Sequence, residues 1–79
     1  MSTPVFVQIR CTPGQTYRVA EAIVLKEIHS ELYSTSGEWD LLLKLYIPEG
    51  TDVGHFINEE LLTLPGIVRS LTTMTFNAF

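Results

Sequence analysis

A short segment in the middle of the chain carries the residues best suited to binding a small polar molecule. Ser36, Gly37, Glu38, Trp39 and Asp40 follow one another and combine a hydroxyl, two carboxylates and an aromatic ring. A hairpin turn needs only the glycine, because glycine readily takes the positive φ that such turns require. The added polar groups favour a binding role. The alternative is an ordinary turn with Trp39 packed beneath it.

A second group of hydroxyls lies near the end of the chain, at Thr72, Thr73 and Thr75. Threonine is common in β-strands, so this cluster alone says little about function. On a strand next to the hairpin, however, these hydroxyls could line a pocket at the edge of a sheet.

Residue types that catalyse reactions or bind metals are present but not grouped. His29 and His55 stand far apart, and Cys11, the only cysteine, falls on the apolar face of a predicted strand. The chain has neither a glycine-rich phosphate loop nor the glycine-flanked serine of a nucleophile elbow. We therefore expect no catalytic residue, no metal and no cofactor.

The elements that must position these residues follow the order β-α-β-β-α-β. Alternation of apolar and polar residues predicts strands, and apolar stripes at steps of three and four predict helices. We expect strands at 5–11, 31–36, 39–47 and 67–79, and helices at about 16–28 and from Thr51 or Asp52 to Pro65-Gly66. Gly37-Glu38 between the second and third strands indicates a two-residue type II′ turn.

This order is typical of an α+β, ferredoxin-like βαββαβ fold. It gives a four-stranded antiparallel sheet with two helices on one face. The third strand is apolar on both faces, through Leu41, Leu43 and Leu45 on one and Leu42 and Tyr46 on the other. Such a strand lies inside a sheet that is covered on both sides, so we expect a partner on the open face, as in a dimeric α/β sandwich or barrel.

Size and composition point the same way. The chain has 79 residues, which we interpret as a single domain (1–79), and 46% of them are apolar. A domain of this size buries only roughly 60% of its unfolded surface, and one cysteine allows no intrachain disulfide. We therefore expect an oligomer in a reducing compartment, the cytoplasm.

The net charge of −4, with only five scattered bases, argues against direct nucleic-acid binding, and no apolar run is long enough to cross a membrane.

Two segments resemble one known family. Residues 33–44, Tyr-Ser-Thr-Ser-Gly-Glu-Trp-Asp-Leu-Leu-Leu-Lys, are similar to the central motif of the Lrp/AsnC (leucine-responsive regulator) effector domain. Residues 64–73, Leu-Pro-Gly-Ile-Val-Arg-Ser-Leu-Thr-Thr, resemble that domain's closing strand. The resemblance covers essentially the whole chain. Ser36 and Trp39 depart from it, standing where threonine and a tyrosine or phenylalanine are usual.

The resemblance implies a stand-alone version of a domain that usually follows a DNA-binding helix-turn-helix. It implies homodimers with sheets packed face to face, rings of dimers such as octamers, and possible mixing with full-length regulators. It also implies an amino acid effector held between dimers by Ser36, Gly37, Glu38, Trp39 and Asp40, with Thr72 and Thr73. Backbone amides of the turn would hold the carboxylate, and Asp40 or Glu38 would meet the amino group.

Two other functions are compatible with the same fold. Dimeric ferredoxin-like barrels include cofactor-independent monooxygenases and isomerases, for which His55, Tyr46 and Trp39 would be the candidate residues. A purely structural oligomer without a ligand is the third possibility. Saturable binding of an amino acid without turnover would distinguish the sensor from both.

Overall fold

Four antiparallel strands form one sheet in the order β2-β3-β1-β4. The structure is a computed structural model and describes residues 3–79. Its elements are β1 (Pro4–Cys11), α1 (Thr16–Lys26), β2 (Glu31–Ser34), β3 (Leu41–Tyr46), α2 (Val53–Phe56), which continues as a π-helical segment (Ile57–Leu61), and β4 (Ile67–Met74). The ferredoxin-like βαββαβ order and the four-stranded antiparallel sheet predicted from the sequence are confirmed.

The core lies between one face of the sheet and the helices. Successive residues of a strand point to opposite faces, so each central strand contributes every second residue. The buried residues are Val5, Val7, Ile9 and Cys11 from β1, Leu41, Leu43 and Leu45 from β3, Ile47 just after it, and Val19, Ile23, Ile57 and Leu61 from the helices. The predicted alternation of β1 and β3 is therefore correct.

The opposite face of the sheet is not covered by any described element. It carries Phe6 and Leu42, which are partly buried, and Tyr33, Tyr46 and Leu71, which are about half exposed. The register places Leu71 opposite Gln8 on β1, and Leu42 opposite Gln8 from the other side. Apolar side chains of this open face are thus present on all four strands, with polar ones such as Gln8 and Lys44 between them.

Several element boundaries differ from the predictions. We expected α1 to reach residue 28, but it ends at Lys26 because Glu27 takes a left-handed conformation with φ 55°, its N–H bonded to the Val24 carbonyl. Such caps are usually glycine, so no stop signal is visible in the sequence at this point. The last strand, expected to run to residue 79, ends at Met74.

The second helix begins as predicted and is wound more loosely than predicted. The Asp52 side chain accepts a hydrogen bond from the His55 N–H at 3.2 Å, which caps the helix. Beyond Phe56 the hydrogen bonds widen to the π pattern, as between Leu62 N–H and the Ile57 carbonyl. Glu60, which interrupts the apolar stripe, lies at the helix edge and pairs with Lys26 on α1 at 3.0 Å.

Candidate functional site

The connection between β2 and β3 is a six-residue loop, Thr35 to Asp40, and the predicted two-residue type II′ turn is wrong. The strands end at Ser34 and Leu41, which face each other in the register that a tight turn would also set. The loop closes instead through Thr35, whose N–H donates to the Asp40 carbonyl and whose hydroxyl donates to the Trp39 carbonyl. Gly37 has φ 93°, so the prediction that this position needs glycine is correct.

Asp40 fastens this loop to β1. Its N–H donates to the Ile9 carbonyl at 2.9 Å, and its carboxylate oxygen Oδ2 accepts the Cys11 N–H at 2.7 Å. The carboxylate therefore takes the place of a strand carbonyl beyond the end of β3. The other carboxylate oxygen, Oδ1, accepts no hydrogen bond from residues 3–79.

Two arginines meet the loop from the neighbouring strands. Arg10 on β1 and Arg69 on β4 lie directly opposite each other in the register. Arg10 Nη1 donates to the Glu38 carbonyl at 2.6 Å, and Arg69 Nη2 lies 2.9 Å from Glu38 Oε1. The Arg69 guanidinium also lies 5.2 Å from the centre of the Trp39 ring, within cation–π distance. We call Arg10, Arg69, Glu38 and Trp39 the hairpin cluster.

The hairpin cluster is open to solvent. The side chains of Arg69 and Glu38 are 56% and 66% exposed, and Ser36 and Gly37 are exposed as well. Two guanidiniums, one carboxylate and an indole ring lie together there, a set that can bind both charged ends of a zwitterion. Nothing in residues 3–79 encloses them, so a closed pocket at this position needs a further protein surface.

Thr72 and Thr73 do not reach the hairpin cluster within one chain. Thr72 lies opposite Val7, whose side chain faces the helices, and Thr73 lies opposite Phe6 on the open face. Thr73 is four positions beyond Arg69 on β4, about 13 Å along an extended strand. The seven predicted ligand residues thus form two separate groups, and one site can include both only if different protomers contribute them.

Cys11, beside Asp40, has the environment of a structural rather than a reactive cysteine. Its side chain is buried. Burial, and secondarily the charge of Asp40, raise the pKa of the Cys11 thiol above its ordinary value of 9.0. The reactive thiolate is therefore disfavoured at neutral pH.

A second polar group lies on the open face, at the edge strand β2. Glu31 accepts a hydrogen bond from the Tyr33 hydroxyl and pairs with Lys44 at 3.1 Å. The Tyr33 hydrogen bond, and then Lys44, hold the pKa of Glu31 below its ordinary value of 4.5. The same Glu31 hydrogen bond raises the pKa of Lys44.

A separate groove of about 430 Å³ lies between α1 and β2, on the helix side of the sheet. Tyr17, Ala20 and Val24 form one wall, and Leu32 and His29 belong to the other. His29 Nδ1 is buried there and has no hydrogen-bond partner among residues 3–79. The groove is thus one concave alternative to the hairpin cluster.

The three residues considered for enzyme chemistry do not form one site. Trp39 lies two residues before β3 and Tyr46 ends it, so they are up to about 23 Å apart at the rise of an extended strand. Tyr46 is near Lys44, whose ammonium lies 5.7 Å from the ring centre, whereas His55 is an exposed residue of α2 beside Glu59. In residues 3–79 no three His, Cys, Asp or Glu side chains are grouped for a metal ion, and neither helix has the length and apolarity to span a membrane.

Arg10 and Arg69 were missed as site residues, since the five bases looked scattered in the sequence. Arg69 could have been noticed, because it lies within the Pro-Gly-Ile-x-Arg segment. Arg10 could not, because its position opposite Arg69 depends on pairing of the first strand with the last, including an irregularity at Arg10 and Cys11.

Comparison with known proteins gives a consistent result. The model of a family described as the Lrp/AsnC ligand binding domain matches residues 4–79. An uncharacterised HTH-type transcriptional regulator of Pyrococcus abyssi is 34% identical over 80 residues, which cover 98% of this chain and 53% of that protein. The chain therefore spans about half the length of the curated relatives it matches.

Solved structures agree in fold. A protein of Thermus thermophilus has a TM-score of 0.86 and 26% identity, with 100% of this chain and 98% of that chain covered. A Neisseria meningitidis transcriptional regulator, solved as a complex with L-Met, has a TM-score of 0.79 and 16% identity, with 94% and 49% covered. At that lower identity the likeness shows the fold.

Proposed function

Because the chain belongs to the Lrp/AsnC ligand binding domain family, we propose that it is an oligomeric regulatory domain that senses an amino acid at the hairpin cluster. The family and its curated relatives, which are HTH-type transcriptional regulators, place the domain among regulatory modules. The amino acid, the oligomer and the site residues are our proposal.

The arrangement of Arg10, Arg69, Glu38 and Trp39 carries the proposal. A free amino acid has a carboxylate, an ammonium group and a side chain, and the cluster offers guanidiniums, carboxylates and an aromatic ring within a few ångströms. Asp40 Oδ1 adds a second acceptor for the ammonium group. The L-Met complex of the Neisseria meningitidis regulator, which has the same fold, supports an amino acid as the ligand class.

The open face supports the oligomer. Leaving Phe6, Leu42 and Leu71 against water is unfavourable, whereas packing two such faces together removes apolar surface from water. A two-fold dimer through this face would leave the hairpin clusters at its rim. Further dimers could then close over each cluster and bring Thr72 and Thr73 of another protomer to the ligand.

The proposed partners follow from this assembly. The domain would form homodimers and larger rings, and it could join full-length regulators of the same family through the same open face. An enzyme is the less favoured function, because Trp39, Tyr46 and His55 lie in three separate places.

Thermal unfolding in the presence of each common amino acid, with native mass measured in parallel, tests the proposal. A ligand that binds only the folded state raises the unfolding free energy by about 2.7 kcal/mol when its concentration is a hundred times Kd. We expect one amino acid or a chemically related few to raise the midpoint, with a mass at or above that of a dimer.

The d- and l-forms of the stabilising amino acid provide the control, since a specific site distinguishes them and a general solvent effect does not. No shift with any amino acid, from an intact oligomer, would overturn the sensing proposal and favour a ligand-free structural oligomer. A native mass equal to that of the monomer would overturn the proposal that the domain is an oligomer.

A further inference from the structure

Arg10 and Arg69 form a pair of like charges on adjacent strands. They are directly opposite in the antiparallel register, where Cβ atoms lie about 4.5–5.5 Å apart. Like charges in this position repel each other, so the pair needs an anion nearby. Glu38 is the acid that the structure places there.

Glu38 satisfies this pair only in part. Its carboxylate contacts Arg69 through Oε1 at 2.9 Å, whereas Arg10 receives only the Glu38 backbone carbonyl, which carries no net charge. The second acid of the loop, Asp40, is bonded to the Cys11 N–H, and among residues 3–79 Arg10 has no ion pair with a carboxylate. A guanidinium pair of this kind suits a carboxylate that accepts from both arginines at once.

The contact between Glu38 and Arg69 is easily replaced. Both side chains are more than half exposed, and water and salt screen such ion pairs so that they add little stability. Asp40, by contrast, is held by the Cys11 N–H and its position is fixed by β1. Of the two acids at the hairpin, Glu38 is the one free to move.

We propose that Arg10 and Arg69 bind the carboxylate of the effector, and that Glu38 competes with that carboxylate for Arg69. This inference rests on the proposed function and revises its chemistry, since the sequence had assigned the carboxylate to backbone amides of the turn. Binding then breaks the ion pair between Glu38 and Arg69, one of the two contacts between the loop and β4. Trp39 remains beneath Arg69 and holds the guanidinium in place.

The competition makes an unusual prediction for Glu38→Gln. If Glu38 mainly bound the ligand's ammonium group, its loss would weaken binding. As a competitor, its loss should instead tighten binding several-fold. Arg69→Lys keeps the charge but loses the two-pronged guanidinium, and it should weaken binding by about tenfold. Arg18→Gln, on the exposed surface of α1, is the matched control and should change nothing.

The test has two arms, read by calorimetry and by NMR of the arginine side-chain Nε–Hε groups. The first titrates the stabilising amino acid and its carboxamide, which lacks the anionic carboxylate, into each variant. The second titrates sodium acetate, so it needs no knowledge of the effector. We expect acetate to shift the Arg10 and Arg69 signals together and saturably, more tightly in Glu38→Gln, and to leave Arg18 unmoved.

The outcomes separate this inference from the proposed function. Amino-acid binding that is unchanged in Arg69→Lys and equal for the carboxamide would overturn the inference and leave the sensing function standing. Acetate binding at Arg10 and Arg69 without binding of any amino acid would support the anion site and overturn the sensing function. Weaker amino-acid binding in Glu38→Gln would overturn the proposal that Glu38 competes with the effector carboxylate for Arg69.

Discussion

The carboxylate of Asp40 accepts a hydrogen bond from the backbone N–H of Cys11 at 2.7 Å, and this bond joins the hairpin loop to the first strand. The sequence had assigned Asp40 to the ligand alone. The structure adds a structural role, because Oδ2 bonds to the Cys11 N–H, and under the proposed function Oδ1 would serve the ligand. Different substitutions of Asp40 should therefore affect the unfolding free energy and ligand affinity to different extents.

Asp40→Ala and Asp40→Asn make that separation measurable. Alanine leaves the Cys11 N–H without an acceptor and should lower the unfolding free energy by about 1–3 kcal/mol. Asparagine keeps an acceptor and should preserve most of the stability, but it removes the negative charge and should weaken amino-acid binding by about tenfold. Urea unfolding and calorimetry read the two effects. Equal stability losses in both variants would show that the Cys11 bond is unimportant.

Gly37 and Gly66 form a natural comparison of backbone strain and packing. Their φ angles are 93° and 95°, so alanine is strained at both, by about 1–3 kcal/mol. A Cβ at Gly37 meets nothing within 4 Å, whereas at Gly66 it would lie 2.8 Å from Val19 Cγ2 in the core. Gly66→Ala should therefore cost clearly more unfolding free energy than Gly37→Ala. Val19→Ala removes the Cγ2 atom, so in that background Gly66→Ala and Gly37→Ala should cost more similar amounts of unfolding free energy. An unchanged gap between the two costs would contradict the clash.

The open face should control assembly. Leu71→Glu places a charge in the apolar surface opposite Gln8, and we expect it to lower the native mass toward the monomer because burying an unpaired charge is costly. Leu25→Glu, on the outer side of α1 and 77% exposed, is the matched control and should leave the dimer intact. An unchanged dimer in Leu71→Glu would remove the open face as the interface.

The Glu31 carboxylate should titrate in a way that depends on Tyr33. Its folded pKa is lowered, first by the Tyr33 hydroxyl and then by Lys44, so its contribution to stability is present above pH 4.5 and is lost as pH falls through the lower folded pKa. Tyr33→Phe should raise the pKa of Glu31 toward 4.5, as read by carboxyl carbon NMR. Tyr17→Phe is the control, and an equal change in both variants would contradict the assigned cause.

The sheet and its core could be predicted because every second residue of β1 and of β3 is apolar and lies on the buried face. A helix cap at Thr51 or Asp52 and the glycine requirement at Gly37 were predictable because each depends on nearby residues, and the structure places the cap at Asp52. Local chemistry and periodicity were enough for these features.

The geometry of the site was not predictable from the same signals. The pairing of Arg10 with Arg69 depends on contact between the first and last strands, and the second role of Asp40 depends on the N–H of Cys11, far away in sequence. The loop is longer than predicted because hydrogen bonding between its two arms ends at Thr35 and Asp40, and no backbone bond joins Ser36 to Trp39. Each of these features depends on a particular contact, and the alternation of apolar and polar residues does not predict such contacts.

Hydrogen exchange of the backbone amides, with and without the stabilising amino acid, tests the central claim most directly. We expect the amino acid to slow exchange in the hairpin loop, Thr35 to Asp40, and around Arg69, while the amides of α2 stay unchanged. Protection confined to the groove between α1 and β2, at Tyr17, Val24 and His29, would contradict the hairpin cluster as the site. Protection nowhere, at concentrations that saturate any measured stabilisation, would contradict a specific amino-acid site on this domain.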